Sequence, residues 1–328
     1  MRTQKGLPHS IAFALFLSLS FVPARAPSTE IWFSAPDPVT RNFKGFAPND
    51  YMDLFTAAAP WPTGASAIQV YEMSNQFVVF ASDEQLSQVI SETKRRHIAL
   101  SMAGLMFTGS ERCGYHVEGY SGPNGILRAA TRVKRLGGEL KYITMDEPLL
   151  YGHYYSGPNA CHDSIPDVAK EVAEKVAQAK SVFPQIEVGD VESIGAGAET
   201  HWMEQMREWP AAYRAAVGEP LAYMVADMSW QNRNWQSDLQ AEAKFLHDAK
   251  IPLGIIYNGS PEDQTDHEWV AHAQQRYHLI ESKLGIIPDK AIIQTWTLHP
   301  TRMLPEDQPD TMTNFLKQYV QDSRAAGR

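Results

Sequence analysis

Short apolar runs alternate with helical repeats along most of this chain. The runs are rich in β-branched and aromatic residues and end at proline, glycine or polar clusters, which is typical of buried strands. Eight of them are predicted to be strands: Glu30–Ala35, Ala67–Tyr71, Ile98–Met102, Lys141–Met145, Glu187–Val191, Ala222–Ala226, Leu253–Tyr257 and Ala291–Trp296.

Helical periodicity fills the segments between these runs. A capping pattern at Ser82 opens a helix that runs to about Arg96, and 166–180 is strongly periodic. Three later helices are predicted over 240–248, 266–284 and 312–323. Eight strands that alternate with helices indicate an α/β fold, a single (β/α)8 TIM barrel, and no linker or low-complexity tract divides the chain.

The N-terminal segment 1–26 has the pattern of a secretory signal peptide. Positive charge precedes the apolar run Ile11–Val22, and small residues at 24–26 are suited to cleavage. An uncleaved anchor is the alternative. We therefore predict a secreted or periplasmic protein, with no membrane association after cleavage, in which 27–328 form a barrel catalytic domain.

Acidic residues outnumber basic ones. The formal net charge is −9, and it falls to −12 without residues 1–26, which hold three basic and no acidic residues. An acidic surface disfavours nucleic acids and anionic membranes as partners. We expect a monomer.

The chain has two cysteines, Cys113 and Cys161. They fall in the loops after the third and fourth predicted strands, which lie on the same face of a barrel. Export to an oxidising compartment favours a disulfide between them over two free thiols. No Cys/His cluster has zinc-ligand spacing, and we expect neither a metal nor another cofactor.

The segment 141–151 (KYITMDEPLLY) carries the clearest chemical signal. A buried strand ends at two adjacent carboxylates, Asp146 and Glu147, and a proline follows. Adjacent carboxylates repel each other, whereas acid–base chemistry requires such pairs with separated pKa values. Capping of the next helix or pairing with an arginine is the structural alternative.

Polar and aromatic residues also stand near the ends of other predicted strands. Because barrel active sites form at the C-terminal ends of the strands, we expect these side chains to line one mouth. Lysine and arginine are scarce among them, which favours a neutral sugar over an anionic substrate. The predicted substrate-binding residues are Tyr71, Glu72, Tyr151, Trp230, Trp235, Tyr257, Asn258, Trp296 and His299.

This arrangement resembles the TIM-barrel glycoside hydrolases, especially the clan in which strand four ends Asn-Glu-Pro. Asp146-Glu147-Pro148 matches that motif with Asp in place of Asn, and the resemblance implies that Glu147 is the general acid. The clan's strand seven ends in a nucleophilic Glu, but here it ends Tyr257-Asn258. The departure favours an inverting hydrolase of a poly- or oligosaccharide.

An inverting mechanism needs a second carboxylate to activate water. The candidates for that base are Asp190 or Glu192 in strand five and, third, Asp227 at the end of strand six. Asp190 and Glu192 have the same strand parity, so both are expected to face the same side of the sheet.

Two other functions remain open from the sequence. One is a non-catalytic carbohydrate-binding barrel, because a missing strand-seven carboxylate is what loss of catalysis would produce. The other is a metal-dependent hydrolase or lyase that uses Asp146, Asp190, Asp227 and a loop histidine, although no His-x-His follows strand one.

Overall fold

The computed structural model describes residues 29–194 and 202–327. Eight parallel strands close into a barrel, in which each strand pairs with its neighbours in sequence and the first pairs with the last. The predicted TIM barrel is confirmed. The strands are β1 Glu30–Ser34, β2 Val70–Met73, β3 Ala99–Gly104, β4 Leu140–Asp146, β5 Glu187–Ile194, β6 Met224–Met228, β7 Leu253–Tyr257 and β8 Lys290–Gln294.

Helices cover the outside of the barrel. They are α1 Pro38–Phe43, α2 Pro62–Ala67, α3 Asn75–Phe80, α4 Asp83–Arg95, α5 Gly125–Arg135, α6 Ile165–Val182, α7 Trp202–Val217, α8 Trp235–Ala249, α9 Asp266–Tyr277 and α10 Met312–Ala325. The capping box at Ser82 is present. Several bounds differ from prediction: α2 ends at Ala67, where the second strand was predicted to begin, α8 starts five residues early, and a π-helical turn, His278–Lys283, ends the helix predicted over 266–284.

No helix in the described part of the chain is long and apolar enough to cross a membrane. The predicted signal peptide, 1–26, lies outside the described residues and stays a prediction.

The strands bury both of their faces, so the protein has two apolar cores. The larger core lies between the barrel wall and the helices. The smaller one fills the barrel interior and consists of Trp32, Val70, Tyr142, Tyr223, Val225, Ile256 and Ile292. Because side chains alternate along a strand, these seven residues identify the inner-facing parity of their strands.

A lysine closes the bottom of the barrel interior. The ammonium of Lys290 lies 5.2 Å from the ring centroid of Trp32, 5.1 Å from that of Tyr142 and 5.0 Å from that of Tyr223. It also donates to Glu30 Oε2 at 2.6 Å. Cation–π attraction to three rings and one ion pair therefore hold a charge where few waters reach it.

The loops after β3 and β4 are long and are held together. Cys113 and Cys161 form a disulfide with a Cα–Cα distance of 5.1 Å, which confirms the predicted pair. Within the loop after β3, Phe107–Thr108 pairs with Tyr120–Ser121. The buried ammonium of Lys175 donates to Thr108 Oγ1 at 2.7 Å and fastens this loop to α6. The loop is thus braced at several points.

Replacement of Lys290 by methionine is expected to lower the free energy of unfolding by about 2–4 kcal/mol, because it removes the cation–π contacts and the ion-pair partner of Glu30. Urea denaturation measures the loss. Lys244→Met, which breaks an exposed pair with Asp248, is the control and should cost less than about 1 kcal/mol. The double variant Glu30→Gln/Lys290→Met should recover part of the loss, and equal stability of Lys290→Met and wild type would contradict the assignment.

Candidate active site

Three carboxylates stand on the inner-facing parity of the barrel, near the C-terminal ends of their strands. Glu72 follows Val70 by two residues, and Asp227 follows Val225 by two residues, so both continue the inner face of their strands. Asp146 lies four residues after Tyr142 and has the same parity. These carboxylates form the mouth of the barrel, together with the side chains that surround them.

Glu72 is the floor of the mouth. Its carboxylate is buried and accepts hydrogen bonds from the hydroxyls of Ser101, at 2.8 Å, and Thr144. The Tyr223 hydroxyl lies 2.9 Å from Thr144 Oγ1 and extends this network. Burial raises the pKa of Glu72, and the two hydroxyls offset part of that rise.

Burial also raises the pKa values of the two aspartates in the mouth. Burial, with the charges of Glu118 and Glu72, raises the pKa of Asp146 to about 7, and Lys44 opposes this rise. Burial, with Asp146 and Glu118, raises the pKa of Asp227 to about 8. Carboxylates that are close together and short of cations keep protons at neutral pH.

Glu147 comes directly after β4 and has a left-handed backbone with φ of 47°. Such a conformation costs a non-glycine residue about 1–3 kcal/mol. It is held by a bond from its N–H to the Val191 carbonyl at 3.0 Å. Burial, followed by the charges of Asp227 and Asp146, raises the pKa of Glu147 well above its usual range, and the Tyr151 hydroxyl opposes this rise. Glu147 therefore belongs to the acidic mouth.

Tyr151 and Glu118 form the rim beside Glu147. The Tyr151 hydroxyl donates to Glu118 Oε2 at 2.7 Å. Glu118 lies in the loop that the disulfide from Cys113 to Cys161 braces. Tyr151, which was predicted to bind substrate, thus lies at the edge of the acidic mouth, and its role stays a prediction.

The structure does not bring Asp190 and Glu192 into the mouth. Their shared parity is as expected, but Val191 between them packs against the barrel interior, so both point outward. Trp209 of α7 donates its Nε1–H to Asp190 Oδ2 at 2.5 Å. Burial, with the charge of Glu242 of α8 as a smaller cause, raises the pKa of Asp190. Neither carboxylate is in position to activate a water in the mouth.

Glu192 instead supports the chain that follows Glu147. From outside the barrel, its carboxylate accepts the backbone N–H groups of Leu149 at 2.5 Å and Leu150 at 3.1 Å. These bonds anchor the start of the π-helical turn Leu150–Tyr154. Glu192 is thus a positioning residue behind Glu147.

Among the predicted tryptophans, Trp296 alone packs against the inner core. Trp230 packs instead on the outer core, with its Nε1–H bonded to Asn258 Oδ1 at 2.7 Å. The guanidinium carbon of Arg276 lies 4.2 Å from the Trp230 ring centroid, and Trp235 packs edge-on at 5.2 Å. Trp230 and Asn258 are therefore engaged with each other, with one ring face of Trp230 covered.

Three other predicted substrate-binding side chains make contacts outside the mouth: Tyr71, Tyr257 and His299. Tyr71 and Tyr257 are buried in the outer core. Tyr257 donates its hydroxyl to Glu281 Oε1 at 2.7 Å. His299 Nδ1 lies 2.5 Å from Asp266 Oδ1 at the start of α9. These contacts fix loops and helices, and none of them involves the acidic groups of the mouth.

Sequence reasoning missed Glu118, Lys44 and the buried hydroxyls of Ser101, Thr144 and Tyr223. Thr144 had a usable signal, because it precedes the inner-facing carboxylate of its strand by two residues. Glu118 and Lys44 had no usable signal. They lie in long loops, and their electrostatic influence on the mouth depends on the tertiary path of those loops.

In the described ranges, 29–194 and 202–327, no group of three or more His, Cys, Asp or Glu side chains is arranged to hold a metal ion. The proposed metal-dependent alternative therefore has no ligand set within those ranges.

No protein-family model matches the chain, and no curated protein matches it in sequence. In structure it is similar to a GH5_18 protein from Streptomyces cattleya in complex with GlcNAc, with a TM-score of 0.56 and 11% identity over 91% of this chain and 81% of that chain. It is also similar to a psychrophilic glycoside hydrolase family 10 endo-beta-1,4-xylanase, with a TM-score of 0.51 and 9% identity over 88% of this chain and 96% of that chain. An endo-1,4-beta-xylanase from Caldicellulosiruptor owensensis has a TM-score of 0.51 and 7% identity over 83% and 85% of the two chains. At such identities the likeness shows the fold alone, and at that level the resemblance to TIM-barrel glycoside hydrolases is confirmed.

Replacement of Asp227 by asparagine is expected to stabilise the protein at pH 7–8. Folded Asp227 keeps its proton up to about pH 8, whereas the unfolded residue ionises near pH 4. Unfolding then releases a proton, so this residue's contribution falls as pH rises through that window. We expect Asp227→Asn to gain about 1–3 kcal/mol at pH 8 and nothing below about pH 4.

Denaturant unfolding as a function of pH measures this gain. The matched control is Asp83→Asn, because bonds to Arg132 and Arg135 lower the pKa of exposed Asp83. That change should weaken the protein at neutral pH, with the opposite sign. A loss of stability in Asp227→Asn at pH 8 would show that the carboxyl is ionised and stabilised in the fold.

Proposed function

We propose that this protein is an exported glycoside hydrolase in which Glu147 is the general acid and Asp227 is the base. The observation that carries the proposal is the position of these two residues at the C-terminal ends of β4 and β6, the strands on either side of β5. The charge of Asp227 also contributes to the raised pKa of Glu147. The register places Ser193 of β5 beside Asp227, and Val191 beside Asp146, so β5 separates the two acidic strand ends.

The raised pKa values in the mouth are the basis for assigning Glu147 as the acid and Asp227 as the base. Burial and the charges of Asp227 and Asp146 raise the pKa of Glu147 well above its usual range, which favours the protonated acid, and burial with nearby carboxylates raises the pKa of Asp227 to about 8. Glu147 then protonates the glycosidic oxygen, while Asp227 takes a proton from a water that attacks the anomeric carbon. The bond to the leaving oxygen breaks as the bond to water forms, and exchange with solvent restores both groups.

Asp146 and Tyr151 complete the proposed chemistry. Asp146 has a pKa of about 7, so its carboxylate is the first of the three to form and stabilises positive charge on the sugar ring. The Tyr151 hydroxyl donates to Glu118, so its oxygen is left to accept from the protonated Glu147 carboxyl, and Glu72 on the floor offers a fixed acceptor for a sugar hydroxyl. Trp296 provides an apolar surface for the ring.

Attack by water on the face opposite the leaving group inverts the anomeric configuration. Proton NMR of the first product of hydrolysis reads that configuration directly. An inverted product supports a base at Asp227, and retention would assign Asp227 or Asp146 as a nucleophile instead.

Replacement of Glu147 by glutamine is expected to lower kcat about 10²–10⁴-fold because the proton donor is lost. Asp227→Asn should lower kcat to a similar extent because the base is lost. The measurement is release of reducing sugar from a panel of soluble polysaccharides. Asp190→Asn, a buried carboxyl on the outer side of the wall, is the matched control and should retain activity within a few-fold.

Two outcomes would reject the proposed roles. If the panel is bound but never cleaved, the protein is a carbohydrate-binding barrel. If Asp190→Asn abolishes activity while Asp227→Asn does not, the base lies outside the mouth.

Removal of the Glu118 charge is expected to move the pH–activity profile to lower pH. The negative charge of Glu118 disfavours ionisation of the acid and the base alike. Glu118→Gln therefore lowers both pKa values, so both limbs of a bell-shaped profile move in the same direction. Glu111→Gln, exposed in the same loop, is the control and should leave the profile in place. A shift to higher pH in Glu118→Gln would contradict the assignment.

A further inference from the structure

Two phenylalanines are exposed beside each other on the C-terminal side of the barrel. Phe43 ends α1 and is 62% exposed, and Phe80 ends α3 and is 63% exposed. Their ring centroids lie 5.5 Å apart with an interplanar angle of 73°. Each ring forgoes part of the stabilisation that an apolar side chain gains when it is buried. Function is a reason to keep such a pair on the surface.

The helices that carry the two rings are tied together. Asp37 caps α1 by accepting the N–H groups of Val39 and Thr40, both at 2.9 Å. Its second carboxylate oxygen accepts the hydroxyl of Thr40 at 2.7 Å and that of Ser74, the N-cap of α3, at 2.6 Å. One buried carboxylate thus sets the relation between α1 and α3, and the exposed rings stand on a preorganised support.

A buried arginine fixes the other side of α1. Arg41 is 2% exposed and donates from Nε to the Ala47 carbonyl at 2.7 Å. Its Nη1 donates to the Leu298 carbonyl, in the segment after β8, at 3.2 Å. Because α1 is held to both neighbouring loops, the position of Phe43 relative to the mouth is set by the fold and not by a free loop.

The helices of the aromatic pair start at the same end of the barrel as the acidic mouth. Both helices follow the C-terminal ends of their strands, β1 and β2, which is the end where the mouth opens. Lys44 directly follows Phe43, and its positive charge opposes the raised pKa of Asp146.

We propose that Phe43 and Phe80 form a sugar-binding platform for a poly- or oligosaccharide that extends from the mouth over the β1 and β2 loops. The proposal rests on the proposed function and deepens it, because it makes a chain, and not a monosaccharide, the substrate. Exposed ring faces stack on the apolar faces of sugar rings and retain their water-accessible edges.

Two other occupants fit the surface less well. A specific dimer buries about 800 Å² on each partner, and two aromatic side chains supply only a fraction of that area. A membrane surface is disfavoured because the formal charge without residues 1–26 is −12, which opposes approach to anionic lipids.

The test measures binding without turnover in the full chain that carries Glu147→Gln. Affinity electrophoresis is run with arabinoxylan, mixed-linkage β-glucan and glycol chitin as separate probes. Phe43→Ala/Phe80→Ala in this background is expected to weaken binding of the preferred polymer roughly tenfold, equivalent to about 1.4 kcal/mol. Phe43→Tyr keeps the ring and should retain binding, which separates loss of the platform from a folding defect.

The matched control is Ile287→Ala. Ile287 is 47% exposed and precedes β8, at the opposite end of the barrel, so its removal should leave polymer binding unchanged. The platform is overturned if the double variant binds like its parent, if no probe is retarded, or if the double variant alters only self-association or vesicle binding. If the polymers bind through the pair but wild type never cleaves them, the platform stands and the hydrolase proposal fails.

Discussion

Closure of the barrel concentrates the inner-facing side chains of eight strands in one small space. Every carboxylate that a strand presents on that parity near its end must give up water and face other carboxylates. Glu72, Asp146 and Asp227 do so from β2, β4 and β6, and Glu147 joins them from the residue after β4. Desolvation is the largest cause of the raised pKa of each. Barrel topology thus creates the proton-holding groups that the proposed chemistry needs.

The interior is electrically asymmetric along the barrel axis. Lys290 at the bottom is matched by Glu30 and surrounded by rings. At the top, the described contacts supply mainly neutral hydroxyls to Glu72, and Lys44 alone is a cationic influence on Asp146. The structural charge of Lys290 is balanced by Glu30, whereas the carboxylates of the mouth have few cations near them. That difference is typical of a functional site rather than of a structural ion-pair network.

The sequence predicted the fold well because strand runs are short-range features. All eight predicted strands overlap observed ones, and the disulfide followed from the loops that hold its cysteines. The choice of base could not be made in the same way. In a parallel barrel both faces of a strand are buried, so polarity does not distinguish inside from outside. Asp190 and Glu192 each neighbour Val191 in sequence. Because Val191 packs against the inner core, their side chains lie on the outer face of β5.

The placement of the aromatic side chains could not be derived from the sequence for a related reason. A tryptophan in a polar loop has the same local sequence whether its ring lines a cleft or lies beneath an arginine, as Trp230 does beneath Arg276. Conversely, the two exposed rings at Phe43 and Phe80 end short helices, where an apolar residue suggests packing. Solvent exposure of such residues is a property of the assembled loops.

The left-handed backbone of Glu147 connects fold, strain and chemistry. A glycine would adopt φ of 47° at little cost, so a glutamate there is retained against a local energetic preference. Its amide is held by β5, and Glu192 holds the two amides that follow Pro148 from behind the wall. The carboxylate of Glu192, on the outer face of β5, thus acts on the site through the backbone of Leu149 and Leu150. One strand, β5, separates the two proposed catalytic strands and also holds the strained turn at Glu147.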